Sequence, residues 1–129
     1  MRISRNELRV SAERAAVEQI LTNLVDNAIK YTPSGGHVTV HAEPKGDKVR
    51  LVVADSGPGI PKEHHARLFE RFYRVDDARS RDLGGTGLGL AIVKHLTLAN
   101  GGDIGVDSDI GRGSRFIVSL PRAAGSLNA

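Results

Sequence analysis

Gln19-Ile20-Leu21-Thr22-Asn23-Leu24-Val25-Asp26-Asn27-Ala28-Ile29-Lys30-Tyr31 carries two patterns at once, and together they set the architecture. Val17, Ile20, Leu21, Leu24 and Ala28 recur at spacings of three and four, the apolar stripe of an amphipathic helix. Beside the stripe, Asn23, Asn27 and Lys30 fall at i, i+4 and i+7 and share a second face. Asparagine inside a helix costs about half a kcal/mol relative to alanine, so two stacked turn upon turn need a reason. They either sit solvated or serve a ligand. As a ligand set they suit magnesium, a hard cation that takes a carbonyl oxygen and keeps waters and substrate phosphates as its other partners. Lys30 then bonds a phosphate oxygen. The residues alone leave both readings open.

Working outward, the spacing predicts a helix over residues 12–31, with Ser11 as N-cap and Thr32-Pro33-Ser34-Gly35-Gly36 as its stop. Leu8 to Val10 reads as a short strand before it. Residues 37–43 alternate polar and apolar, and residues 49–54 form a more buried strand. Lys45-Gly46-Asp47 turns one into the other as a hairpin. A short polar helix follows Pro61 and reaches Phe69 or Phe72. Residues 74–85 lack apolar periodicity and are rich in charge, the pattern of a mobile loop. Leu88, Ala91, Ile92, Leu96 and Ala99 mark another amphipathic helix, closed by Asn100-Gly101-Gly102. Residues 103–120 read as a last hairpin with Gly111 and Gly113 at its turn. The elements predict one α/β domain whose strands pair mostly through hairpins, with helices on one side of the sheet.

Composition limits the function. The 129 residues suit a single domain with a genuine core. The absence of cysteine excludes a disulfide scaffold, a zinc finger and a thiol nucleophile. No apolar run approaches the roughly 20 residues of a membrane span, and no signal peptide opens the chain. Aromatic residues make up only 4%, which argues against a base-stacking surface for single strands. The formal charge of +3 is mild. The fifteen glycines are the one unusual count, and they cluster.

Asp55-Ser56-Gly57-Pro58-Gly59 follows a buried strand. Its glycines permit positive φ and close backbone approach to a ligand. A carboxylate only accepts hydrogen bonds, so Asp55 is suited to an exocyclic amine such as that of adenine. A local turn bond is the simpler use of the same residue. Gly84-Gly85-Thr86-Gly87-Leu88-Gly89-Leu90 opens the last helix. It matches neither the dinucleotide fingerprint nor the Walker-type phosphate loop. It does place bare amides at a helix N-terminus, which attracts phosphate. Asp107-Ser108-Asp109-Ile110-Gly111 has the start of a calcium loop but no closing glutamate, and reads as a turn. His64 and His65 are adjacent and have no metal-spaced partner. Most of the arginines between Arg67 and Arg81 read as solvated surface, with one or two free to reach a phosphate.

Taken in order, these segments resemble the ATP-binding catalytic domain of two-component sensor histidine kinases, in the superfamily that includes DNA gyrase and the large heat-shock chaperones. Gln19 to Tyr31 resembles its N box, and Asp55 to Ile60 its first glycine box. Leu68-Phe69-Glu70-Arg71-Phe72-Tyr73-Arg74 resembles its F box, and Gly85 to Leu90 its second glycine box. The resemblance implies the Bergerat ATP-binding fold. That fold is an α+β two-layer sandwich with a mixed, mostly antiparallel sheet and about three helices on one face. It implies one ATP-binding catalytic domain over residues 1–129, with a core at 8–121, a mobile ATP lid at 76–85 and a disordered tail at 122–129.

The same resemblance implies ATP and magnesium as cofactors. Asn27 would be the metal ligand, with Asn23 and Lys30 supporting the phosphates and Tyr31 packing near the nucleotide. Asp55 would bond the adenine amine, and Gly57, Gly59 and Ile60 would shape that wall. Gly85, Thr86, Gly87, Leu88, Gly89 and Leu90 would line the phosphates, with Ser114 near the adenine pocket. Phe69 and Phe72 would anchor the lid, and Arg74 would contact the γ-phosphate. Asn23, Lys30 and Arg74 are thus the candidate catalytic residues. Hydrolysing relatives carry a glutamate where this chain has Asn23; asparagine takes no proton from water, which favours transfer to an outside nucleophile. None of His37, His41, His64, His65 or His95 sits in the setting of the family's phosphoacceptor.

The implied partners are therefore a separate helical dimerisation and histidine-phosphotransfer domain of the same kinase, and a response regulator downstream. No nucleic acid is implied, and the isolated domain is expected to be monomeric. The implied location is cytoplasmic, as part of a membrane-anchored sensor. A serine kinase of the anti-sigma type in the same superfamily, or an ATP-gated interaction module, is the alternative.

Overall fold

Helix α1, Arg14–Tyr31, buries Ala16, Val17, Ile20, Leu24 and Ala28, the stripe that the spacing predicts. The computed structural model describes residues 12–71, 73 and 88–122. The strand expected at residues 8–10, Ser11, Phe72, Arg74, the lid at 76–85, Gly85, Thr86, Gly87 and the tail from 123 lie outside the described residues. The start of α1 differs from expectation. Its N-cap is Glu13, whose side chain makes no capping bond. The Glu13 N–H is instead held by Asn100 Oδ1 at 3.2 Å, so a contact across the fold sets the helix entry. At the other end Thr32 takes an extended conformation, and its hydroxyl donates to the Ala28 carbonyl at 2.6 Å. Pro33 then bars another helical turn.

Strands β1, Val38–Lys45, and β2, Lys48–Asp55, form the expected hairpin around Gly46 and Asp47. Helix α2 is a single turn, Lys62–His65, shorter than the pattern predicts. The N–H groups of Arg67, Glu70 and Tyr73 each bond three residues back, to His64, Arg67 and Glu70. That tighter winding does not continue a 3.6-residue stripe. Helix α3, Gly89–Ala99, ends as the Asn100-Gly101-Gly102 signature predicts. Gly102 N–H bonds Thr97 carbonyl at 2.9 Å and Gly101 N–H bonds Leu98 carbonyl at 3.1 Å, with Gly101 at φ +78°. This is a Schellman closure.

Strands β3, Asp103–Asp109, and β4, Gly113–Pro121, make the last hairpin. Among the described residues the strands run in the order β1-β2-β4-β3, each of these pairs antiparallel. Along β2 the residues Val49, Leu51 and Val53 are buried, and along β4 Phe116, Val118 and Leu120, alternating as one inward face demands. They meet Val17, Ile20, Leu24 and Ala28 of α1 and Val93 of α3 in a single core. Each such side chain contributes about 1.5–3 kcal/mol by leaving water. The result is the two-layer α+β sandwich of the Bergerat fold. Continued one step further, both inward rows leave the core and reach polar residues. Asp55 ends the row on β2 and Ser114 the row on β4, directly paired across the sheet.

Candidate nucleotide site

The candidate residues lie on the C-terminal half of α1, the loop after β2, the start of β4 and the start of α3. Asp55 is half-buried at the end of β2. Its Oδ1 accepts the Gly57 N–H at 2.9 Å, the local turn bond that its position before glycine permits. The Ser114 N–H also acts on the carboxylate. Burial outweighs both donors and lifts the Asp55 carboxyl above its ordinary value. The turn bond and a ligand-binding role are therefore compatible: one bond orients the carboxylate and lone pairs remain for an amine.

The glycines of this loop approach the chain's own backbone. A Cβ on Gly57 would stand 2.8 Å from the Tyr31 carbonyl oxygen and 2.9 Å from Asp55 Oδ1. Gly59 lies at φ +82°, and a Cβ there would stand 2.0 Å from the Asp109 carbonyl oxygen. Gly57 thus lets the loop close on the end of α1, and Gly59 lets it close on the β3–β4 hairpin. Ile60 follows, its N–H bonded to Ser108 Oγ at 2.8 Å and its carbonyl to His65 Nε2 at 2.9 Å. Phe69 is fixed by an edge-to-face contact with Phe116, centroids 6.1 Å apart.

On α1, Asn23 is committed at both ends of its amide. Its Oδ1 accepts from Gln19 Nε2 at 3.0 Å, and its Nδ2 reaches the Gly89 carbonyl at 3.5 Å. Asn23 therefore ties α1 to the first residue of α3. One turn on, Asn27 is half-buried and makes no side-chain hydrogen bond to a described residue. Lys30 is exposed in the last helical turn, and Tyr31 is half-buried beside the Gly57 loop. At α3 the N-cap Leu88 supplies no side-chain cap, and Gly89 and Leu90 open the helix. A helix start is the kind of place where backbone amides can meet an anion.

The structure brings Asn23, Leu88, Gly89 and Leu90 to one junction and Tyr31, Asp55, Gly57, Gly59, Ile60 and Ser114 to another. Ser108 is a residue that sequence reasoning missed. Its only signal is a polar residue at the end of the inward row Ile104, Val106, Ser108 on β3. A cleft of about 440 Å³ lined by Ile60, Pro61, Lys62, Glu63, Asp109 and Ile110 shares only Ile60 with the predicted residues.

Comparison with known proteins agrees with this geometry. Residues 12–124 match the sequence family described as histidine kinase-, DNA gyrase B-, and HSP90-like ATPase. The chain belongs to that family. It is 46% identical over 117 residues to the sensor histidine kinase WalK of Bacillus subtilis, a match over 89% of this chain and 19% of WalK. Among solved structures, the mycobacterial sensor histidine kinase MprB aligns at a TM-score of 0.80 and 36% identity, covering 89% of this chain and 78% of that one. ShkA, solved at full length in complex with AMPPNP, aligns at 0.78 and 37%, covering 93% of this chain and 24% of ShkA. The chain thus spans less than a fifth of WalK's length and corresponds to the ATP-binding catalytic domain of a sensor histidine kinase.

Among the described residues no group of three or more His, Cys, Asp or Glu side chains could cage a metal. The donor set present is the carbonyl of Asn27, half-buried and with no described partner. It fits a magnesium ion that keeps its waters and is held mainly through a triphosphate.

Proposed function

We propose that this chain binds ATP with magnesium and donates the γ-phosphoryl group to a histidine on a separate helical dimerisation domain. The observation that carries the reading is the pairing of Asp55 with Ser114 at the end of the buried rows, where the Gly57 turn closes on the Tyr31 carbonyl at the end of α1. Asp55 accepts the adenine amine. Asn27 holds magnesium, which when bound neutralises charge building up between the β- and γ-phosphates. Lys30 and backbone amides at the start of α3 bind phosphate oxygens. Asn23, with its amide spent on Gln19 and Gly89, offers no base to a water molecule. That favours an outside nucleophile over hydrolysis.

In the transfer, the acceptor imidazole nitrogen forms a bond to the γ-phosphorus while the bond to the β–γ bridging oxygen breaks. ADP leaves, and the proton on the other imidazole nitrogen passes to a carboxylate that acts as base on the acceptor domain. ShkA's complex with AMPPNP, a nucleotide bound by a relative 37% identical to this chain, supports the nucleotide half of the reading. A cytoplasmic position, where ATP is supplied, within a membrane-anchored sensor is part of this proposal, and a response regulator is the expected next acceptor. Incubation of the chain with magnesium, γ-labelled ATP and the separately made histidine-bearing dimer tests the proposal. Acid-labile phosphate on the dimer is expected; ATP bound with no transfer to that dimer overturns it.

A further inference from the structure

The buried hydroxyls behind the purine end of the site form a closed set. Ser108 and Ser114 are each 5% exposed. Ser108 Oγ makes three contacts: Ile60 N–H at 2.8 Å, the Gly113 carbonyl at 2.8 Å and Ser114 Oγ at 2.9 Å. A serine hydroxyl has one proton and two lone pairs. The Ile60 N–H takes one lone pair. The Gly113 carbonyl has no proton to give, so Ser108 donates its own there. The second lone pair of Ser108 then accepts the Ser114 proton. Every capacity of Ser108 is used, and the direction of each bond follows.

Ser114 is consequently left with lone pairs only for any further partner. Its cross-strand neighbour Asp55 also offers only lone pairs. Asp55 and Ser114 together present two side-chain acceptors and no donor. We propose that Ser108 is a specificity-determining positioning residue: by fixing the Ser114 proton it makes the purine edge select an exocyclic amine and reject a carbonyl at that place. The inference rests on the nucleotide reading above and deepens it. Ser108 also joins the Ile60 end of the glycine loop to the β3–β4 hairpin, so loop position and hydroxyl polarity are set by one side chain.

Comparison of ATP with inosine triphosphate, which has a carbonyl in place of the amine and a proton on the adjacent ring nitrogen, tests the inference. The chain is expected to prefer ATP. Ser108→Ala frees the Ser114 hydroxyl to donate, so the preference is expected to shrink about tenfold, one hydrogen-bond reversal. Ser108→Thr keeps the hydroxyl and is expected to restore the preference. Equal losses for both nucleotides in Ser108→Ala would mark a merely structural residue and overturn the proposal, as would an unchanged ratio. A wild-type chain that binds neither nucleotide overturns the nucleotide reading itself. Amide hydrogen exchange in the wild-type chain adds a readout that needs no variant: Ile60 N–H is expected to be protected, and exchange at an open-loop rate overturns the inference.

Discussion

The purine end and the phosphate end of the site are built by different means. At the purine end, Asp55 and Ser114 inherit their positions from the sheet register that buries Val53 and Phe116. Backbone amides and two buried serines then orient them before any ligand arrives. At the phosphate end, Asn27 and Lys30 stand on one helix face, half-buried and exposed. Helical periodicity places them, but no described residue bonds the Asn27 side chain. One end is preorganised; at the other, on the proposed function, a charged ligand and its cation complete the contacts. On that reading base choice is a property of the fold, whereas triphosphate affinity is a property of the complex.

Breaking the purine end is expected to have the largest effect. Asp55→Asn keeps an oxygen for the Gly57 N–H but gives up the charge-assisted bond to the amine. ATP affinity measured by calorimetric titration is expected to fall by about 100-fold, the scale of one hydrogen bond to a charged group. At the phosphate end, Asn27→Ala is expected to cost about tenfold in ATP affinity with magnesium present and nothing once the magnesium is chelated, the scale seen when a metal site loses a supporting group. A loss that persists after chelation would remove the metal assignment.

The smallest effect concerns stability. Because burial raises the Asp55 carboxyl, the folded chain holds that proton more tightly than the unfolded chain does. Ionisation of Asp55 therefore lowers stability as pH rises from the ordinary carboxylate range through the raised value. Asp55→Asn is expected to be slightly more stable than the native chain above that range and equal to it below. Urea unfolding at both ends of the range checks this. The opposite sign would mean that the amides of Gly57 and Ser114 outweigh burial.

Legibility followed the range of the interactions. Asn23, Asn27 and Lys30 were readable because helical periodicity fixes which residues share a face. Asp55 was readable because a glycine loop follows a buried strand. The helix start at Glu13 was not, since its N–H is held by Asn100, far along the chain. Gly57 and Gly59 stand out in the sequence, and their demand for space comes from Tyr31 and Asp109 of the chain itself. Ser108 was hidden for the same reason. In Asp107-Ser108-Asp109 it reads as turn chemistry, and only the β3–β4 register sets it opposite Ser114. The brevity of α2 reflects bonds three residues back, which apolar spacing does not report.

The division between a preformed purine end and a phosphate end completed by its cation meets its most direct test in paired titrations of adenosine and ATP, each with and without magnesium. Adenosine is expected to bind with the same affinity in both conditions, and the advantage of ATP over it to grow when magnesium is present. Adenosine binding that depends on magnesium, or an ATP advantage unchanged by its removal, would contradict the account.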